Sequence, residues 1–148
     1  MTIRTLAFGP GGPPRTSDLG LLVLRLGAGL PLALAHGLGK LPPSDGFIEG
    51  TAEMGFPVPV LFAWAAALAE FAGGLLVAAG LLTRPAAVVA AFTMAVAAFV
   101  RHGGDAFGDR ELAIVYLVML VAVALTGPGR FSLDALIGRT DPIRQKAT

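Results

Sequence analysis

The chain of 148 residues contains no cysteine, only two histidines, and just 14% charged residues. Without cysteine it can carry no disulfide, no thiolate nucleophile and no iron–sulfur or thiolate-zinc site. Its eleven Lys and Arg against ten Asp and Glu leave a net charge of +1. These basic residues are scattered through the connections, which gives no basis for nucleic-acid binding. No glycine-rich stretch is followed by lysine in the pattern that cradles phosphate. What the chain has in abundance is apolar: 55% hydrophobic residues and a mean hydropathy of +0.74. Soluble domains have roughly 45–50% and about 25% charged residues. The composition predicts a single-domain, all-α integral membrane protein, a four-helix bundle whose spans nearly exhaust the chain.

The organisation follows from the breakers. Met1–Asp18 is rich in Gly and Pro and reads as a flexible tail, with Asp18 the N-cap of a first span from Leu19 to about Leu41. Pro31 should kink that span. Ala33-Leu34-Ala35 resembles a signal-peptide cleavage site, but Arg25 inside the apolar run, and the length of the run, argue against one. Leu41–Pro57 is a polar connection long enough for a short interfacial helix. The second span is Val58–Leu82. Thr83-Arg84-Pro85 is then a tight turn, with Thr83 as cap and Pro85 at the first helical position of span three, which runs from Pro85 through Val100 towards Gly103. After the loop Arg101–Arg110, span four is Glu111–Leu125, stopped by Gly127-Pro128-Gly129. Phe131–Ile137 forms an amphipathic turn on the membrane surface, and 138–148 is a tail.

Charge sets an expected orientation. One side carries Arg4, Arg15, Arg84, Arg130, Arg139, Arg144 and Lys146, and the other carries Lys40, Arg101 and Arg110. By the positive-inside rule both termini are cytoplasmic and the loops Leu41–Pro57 and Arg101–Arg110 face outward. A faint repeat is also visible. Spans one and three end in His-Gly (His36-Gly37, His102-Gly103), and spans two and four end in Leu-Thr followed by Pro and Arg.

Glu70 stands alone in its span, with no other charge for about twelve residues on either side. Such a carboxylate is costly in hydrocarbon and belongs in a bundle interior or a water-filled site. Its neighbours at helical spacing, Ala66, Ala67, Gly73 and Gly74, are small enough to let another helix approach. On span one, Arg25, Gly29, Leu32, His36 and Lys40 fall in one sector, a polar stripe. Glu70 is roughly 18 Å from the start of its helix and Arg25 roughly 9 Å from the start of its own, which predicts an Arg25–Glu70 pair with His36 and Lys40 further out. The buried polar site is thus Arg25, His36, Lys40 and Glu70. Such a pair serves either to fix helix register or to line a pocket or proton path. His36 and His102, at similar depth, could ligate haem, contact a quinone carbonyl, or simply cap helix ends. His102, Asp105, Asp109 and Glu111 could together hold a metal, or be solvated, and no metal site is assigned.

The chain resembles the DoxX family of small four-helix membrane proteins. The resemblance rests on His36-Gly37-Leu38-Gly39-Lys40-Leu41, on Glu70, Gly73, Gly74 and the exit Gly80-Leu81-Leu82-Thr83-Arg84, on His102-Gly103 and Glu111, and above all on Gly127-Pro128-Gly129-Arg130-Phe131-Ser132-Leu133-Asp134. It covers Leu19 to about Ile137. Related proteins include membrane subunits of a thiosulfate:quinone oxidoreductase and components of membrane redox or detoxification complexes. The resemblance implies a multi-pass protein of a prokaryotic plasma (inner) membrane, an accessory or quinone-facing subunit working with other membrane or peripheral redox subunits, and not catalytic alone. His36, His102, Glu70 and Glu111 are the candidate quinone or ligand contacts. The chain itself carries no cofactor beyond such a quinone. The rival readings are a non-catalytic scaffold subunit and a small proton-coupled transporter, which would need to oligomerise to form a pathway.

Overall fold

The computed structural model describes residues 14–139. The expected tails, 1–18 and 138–148, lie outside the described residues except where they overlap that range. Among the described residues every regular element is helical.

Helix α1 spans Pro14–Pro31, starting earlier than the expected Leu19, with a proline at its first position, where a missing N–H costs nothing. Asp18 is therefore inside α1 and is not its cap. Its carboxylate instead accepts the backbone N–H of Arg130 at 2.9 Å. Pro31 does not end the helix. The chain widens directly after it into a π turn, Leu32–Gly37, and then tightens into a 3₁₀ turn, Leu38–Lys40. Helix α2, Asp45–Glu53, is capped by the Ser44 hydroxyl, which accepts the N–H of Phe47.

Helix α3, Pro59–Ala79, ends at Gly80, whose φ of +71° is the left-handed conformation that closes a helix C-terminus. The N–H of Leu81 reaches back to the carbonyl of Leu76 at 3.0 Å. Helix α4 covers Thr83–Val96 and continues through a second π turn, Ala97–Arg101. Helix α5 is Phe107–Thr126 and the short α6 is Leu133–Arg139. The His-Gly repeat has a structural counterpart: His36 lies within the first π turn and His102 directly follows the second.

Among the described residues, three segments are long and apolar enough to cross a membrane: Arg15–Lys40, Pro59–Ala79 and Thr83–Arg101. The fourth expected span corresponds to α5, whose first five residues include Asp109, Arg110 and Glu111. Helix α1 packs antiparallel to α3, α3 against α4, and α5 against both α4 and α1. The α1–α3 contact is backbone to backbone. A methyl group placed on Gly29 would lie 2.4 Å from the carbonyl oxygen of Gly74, and one on Gly37 would lie 2.4 Å from the nitrogen of Phe71. In a bilayer, where lipid offers apolar contact everywhere, such close approach of small residues is what holds helices together. Leu32, Val77, Met94, Leu120 and Val123 fill the core.

The start of α4 is capped from across the chain. Thr83, expected as the cap, is the first residue of the helix, and the carboxylate of Asp134 accepts the N–H of Leu82 at 2.8 Å, the N–H of Thr83 at 2.9 Å and the Thr83 hydroxyl at 2.7 Å. Partial burial pushes the Asp134 carboxyl up. The hydrogen bonds from Thr83 and Leu82 and the nearby Arg25 charge outweigh burial, so its pKa lies below the ordinary 3.8. A depressed carboxylate contributes stability that is complete above its unfolded value and is lost as pH falls through the lower folded value. The thermal midpoint in detergent should therefore drop as pH falls below 3.8. Asp134→Asn should be less stable at neutral pH by about 1 kcal/mol, the worth of a helix cap, and should show a flatter acid limb. Identical acid limbs in the two proteins would contradict this role.

Candidate functional site

Glu70 lies midway along α3 and is 1% exposed, as its small-residue surroundings led one to expect. Its partner is not the expected one. Both carboxylate oxygens are met by the ammonium of Lys40, at 2.5 and 2.7 Å. The register of α1 on α3 is the reason. Gly37 sits against Glu70 and Phe71, so the far end of α1 is level with the middle of α3. Arg25 stands twelve residues earlier, roughly 18 Å along a helix axis and beyond side-chain reach. The N-terminal half of α3 is left for α2, which packs beside it.

Arg25 is completely buried at the opposite end. Its guanidinium donates to the carbonyls of Val77 and Ala78 at 3.4 and 3.3 Å and to the carbonyl of Phe131. The first two are carbonyls in the C-terminal turn of α3, where a cation is favoured by the helix dipole, and the third belongs to the segment that carries Asp134. Gly80 makes room for it, since a methyl group there would collide with the guanidinium. Arg25 is thus a clamp on the fold, separate from the Glu70 site.

The Lys40–Glu70 pair forms part of the wall of a cavity of about 520 Å³ between α2, α3 and α4. Phe47 and Thr51 of α2 and Met54 directly after it face it, with Ala66 of α3 and Val96 of α4 among the opposing walls. Lys40 Nζ lies 5.4 Å from the centre of the Phe47 ring, within cation–π range. Arg101 and His102 line the same cavity. His102 Nδ1 is 2.8 Å from the Asp105 carboxylate. If that nitrogen carries the proton, Nε2 is left as an acceptor.

The structure separates the remaining candidates. His36 is not in the cavity wall and turns to α5, its ring edge-on to Tyr116 at 5.5 Å. The two histidines therefore do not share a cavity, and the polar stripe is divided, with His36 against Tyr116 and Lys40 against Glu70. Glu111 is exposed and outside the cavity. Among the described residues, no three His, Asp or Glu side chains are grouped to hold a metal, those of the 102–111 loop included. The α2 wall went unrecognised in the sequence, although Phe47, Thr51 and Met54 have the helical spacing of one face.

A buried carboxylate held by a partly exposed lysine beside a largely apolar cavity, carried on helices long enough to cross a bilayer, defines a small helical membrane protein with an internal polar site. The chain belongs to the DoxX family, whose model matches residues 20–103. It is 31% identical to "Inner membrane protein YphA" of Escherichia coli (strain K12), over 90% of this chain and 97% of that protein. It is 30% identical to "Inner membrane protein YqjF" of the same organism, over 84% and 97%. It is also 31% identical to "Putative oxidoreductase CatD" of Bacillus subtilis (strain 168), over 83% and 90%. No solved structure matches the chain.

The pairing is testable by double-mutant cycles. Lys40→Gln leaves a buried carboxylate without its counter-charge and should cost about 3 kcal/mol of folding stability. Glu70→Gln should cost less, because the Lys40 side chain is 34% exposed and can turn to water. The double variant should recover much of the Lys40→Gln loss. Arg25→Gln and Glu70→Gln should instead add, as separated sites do. Coupling between Arg25 and Glu70 would overturn the assignment.

Proposed function

We propose that this protein is the membrane-embedded, quinone-facing subunit of an oxidoreductase complex in a prokaryotic plasma membrane, and that it is not catalytic alone. The observation that carries the reading is the cavity. It is apolar enough for a quinone ring, and it carries an ammonium donor at Lys40 and an imidazole at His102. A quinone is uncharged, offers carbonyl acceptors and is delivered by the lipid phase, which suits a few polar groups set in apolar walls. The word oxidoreductase in the name of CatD supports the same class. In this reading α5 is a fourth span, completing a four-helix bundle, and both termini are cytoplasmic because the more basic connections lie at that end. Electrons would be exchanged with partner subunits, since this chain has no cysteine for a thiol relay.

Purification from native membranes followed by quinone extraction tests the proposal. Bound quinone should be present, and it should fall about tenfold in Val96→Trp, which fills the cavity, and in His102→Ala, which removes one good polar contact. His36→Ala should leave it unchanged. A complex that assembles and turns over with no quinone on this chain would leave the scaffold reading. Proton-coupled uptake abolished by Glu70→Gln would favour transport. Reporters fused after Ile137 should be cytoplasmic, and tags at Asp45 or Asp105 should be labelled from outside. An external C-terminus would reverse the orientation.

A further inference from the structure

The cavity has two different borders. Arg101 and His102 are polar, whereas Phe62 on α3 and Val89 and Phe92 on α4 are apolar, and all five line it. Those three apolar side chains are also open to the outside, at 37%, 54% and 67% exposure. They sit on two of the helices long enough to cross a membrane, so in a bilayer Val89 and Phe92, well inside α4, would meet acyl chains, with Phe62 nearer the helix end. At the inner end, Lys40 and Glu70 neutralise one another, so an incoming ligand meets no net charge there. An ammonium carries three N–H donors, and the two Glu70 oxygens take two of them.

We propose that the cavity is loaded sideways from the bilayer, between Phe62 and the Val89–Phe92 edge, by an uncharged lipid-phase molecule whose oxygen accepts the remaining N–H of Lys40. This rests on reading the cavity as a ligand site and adds its route of access and the charge class of its ligand. A charged head would have to cross acyl chains to reach the opening, at a cost that an uncharged carbonyl compound escapes. The Phe47 ring beside Lys40 supplies a flat surface for the ligand's own ring or chain.

The full chain in lipid nanodiscs provides the test. In a Trp64→Phe background, Phe47→Trp places a single tryptophan in the cavity wall. Two uncharged quenchers are then added: decyl-benzoquinone and a nitroxide-labelled long-chain methyl ester. Because the chain lacks cysteine, Phe92→Cys can be alkylated at one site with a bulky maleimide. Gly20→Cys, where a side chain meets open space on α1 away from the cavity wall, is the control. Both probes should quench, and quenching should slow by roughly tenfold with the Phe92 adduct but by less than about twofold with the Gly20 adduct. Equal slowing by the two adducts, or none by either, overturns the side entrance. Quenching by neither probe overturns the proposal as a whole. If only the ester quenches and the Phe92 adduct slows it, the quinone reading fails while the side entrance stands. The free-acid form of the nitroxide chain, compared at about pH 9 where it is ionised even at a membrane surface, should quench less than its methyl ester. Equal quenching would overturn the uncharged class.

Discussion

Backbone contact between α1 and α3 is the constraint on which the rest of the molecule depends. Gly29 against Gly74, and Gly37 against Phe71, leave no room for a side chain at either crossing, so one axial register is permitted. That register places the end of α1 beside the middle of α3 and thereby delivers Lys40 to Glu70. It also places Arg25 on the last carbonyls of α3. A shift of one helical turn would strand both charges in a medium where each is expensive. Small residues and buried charges therefore support each other: the first fix the register and the second penalise any alternative.

The same economy of polar groups explains the segment after α5. The most distinctive stretch of the sequence, Gly127 to Asp134, holds none of the cavity wall. Its Phe131 carbonyl accepts from Arg25, and its Asp134 carboxylate caps α4. Ser132 ties the segment to itself, donating to Gly129 and accepting from Ala135. The Val77 and Ala78 carbonyls at the end of α3 and the N–H groups of Leu82 and Thr83 at the start of α4 meet at a tight turn where helical partners run out. One strap and one arginine satisfy them. A motif that is specific in sequence is thus structural in role, and the candidate site lies at Lys40 and Glu70, on the other side of the α1–α3 crossing.

This division sharpens what the cavity can mean. Arg25 is consumed by the fold, so the polar groups left for a ligand are Lys40, Arg101 and His102, with Glu70 holding the first of them in place. The π turns at the ends of α1 and α4 contribute directly. Each adds backbone width where His36 and His102 stand, turning one histidine to Tyr116 and leaving the other on the cavity. Insertions of this kind recur at functional positions of helices because they re-aim side chains without ending the helix.

Composition and residue type alone determined that this is an all-helical membrane protein, that Glu70 is buried against small residues, and that the chain resembles the DoxX family. Those conclusions depend on local properties: apolar run length, the cost of a lone charge and the identity of neighbours at helical spacing. Tertiary structure alone decided which cation meets Glu70, what Arg25 and Asp134 hold, and that α2 closes a cavity. Helical periodicity reports which residues share a face but carries no information about how far one helix slides along another. The axial offset is set by Gly29 and Gly37 meeting residues about forty positions away, and the π turn after Pro31 changes the phase as well. Arg25, the expected partner, and Lys40 share one sector of the helical wheel, and the offset decides that Lys40 is the one to reach Glu70.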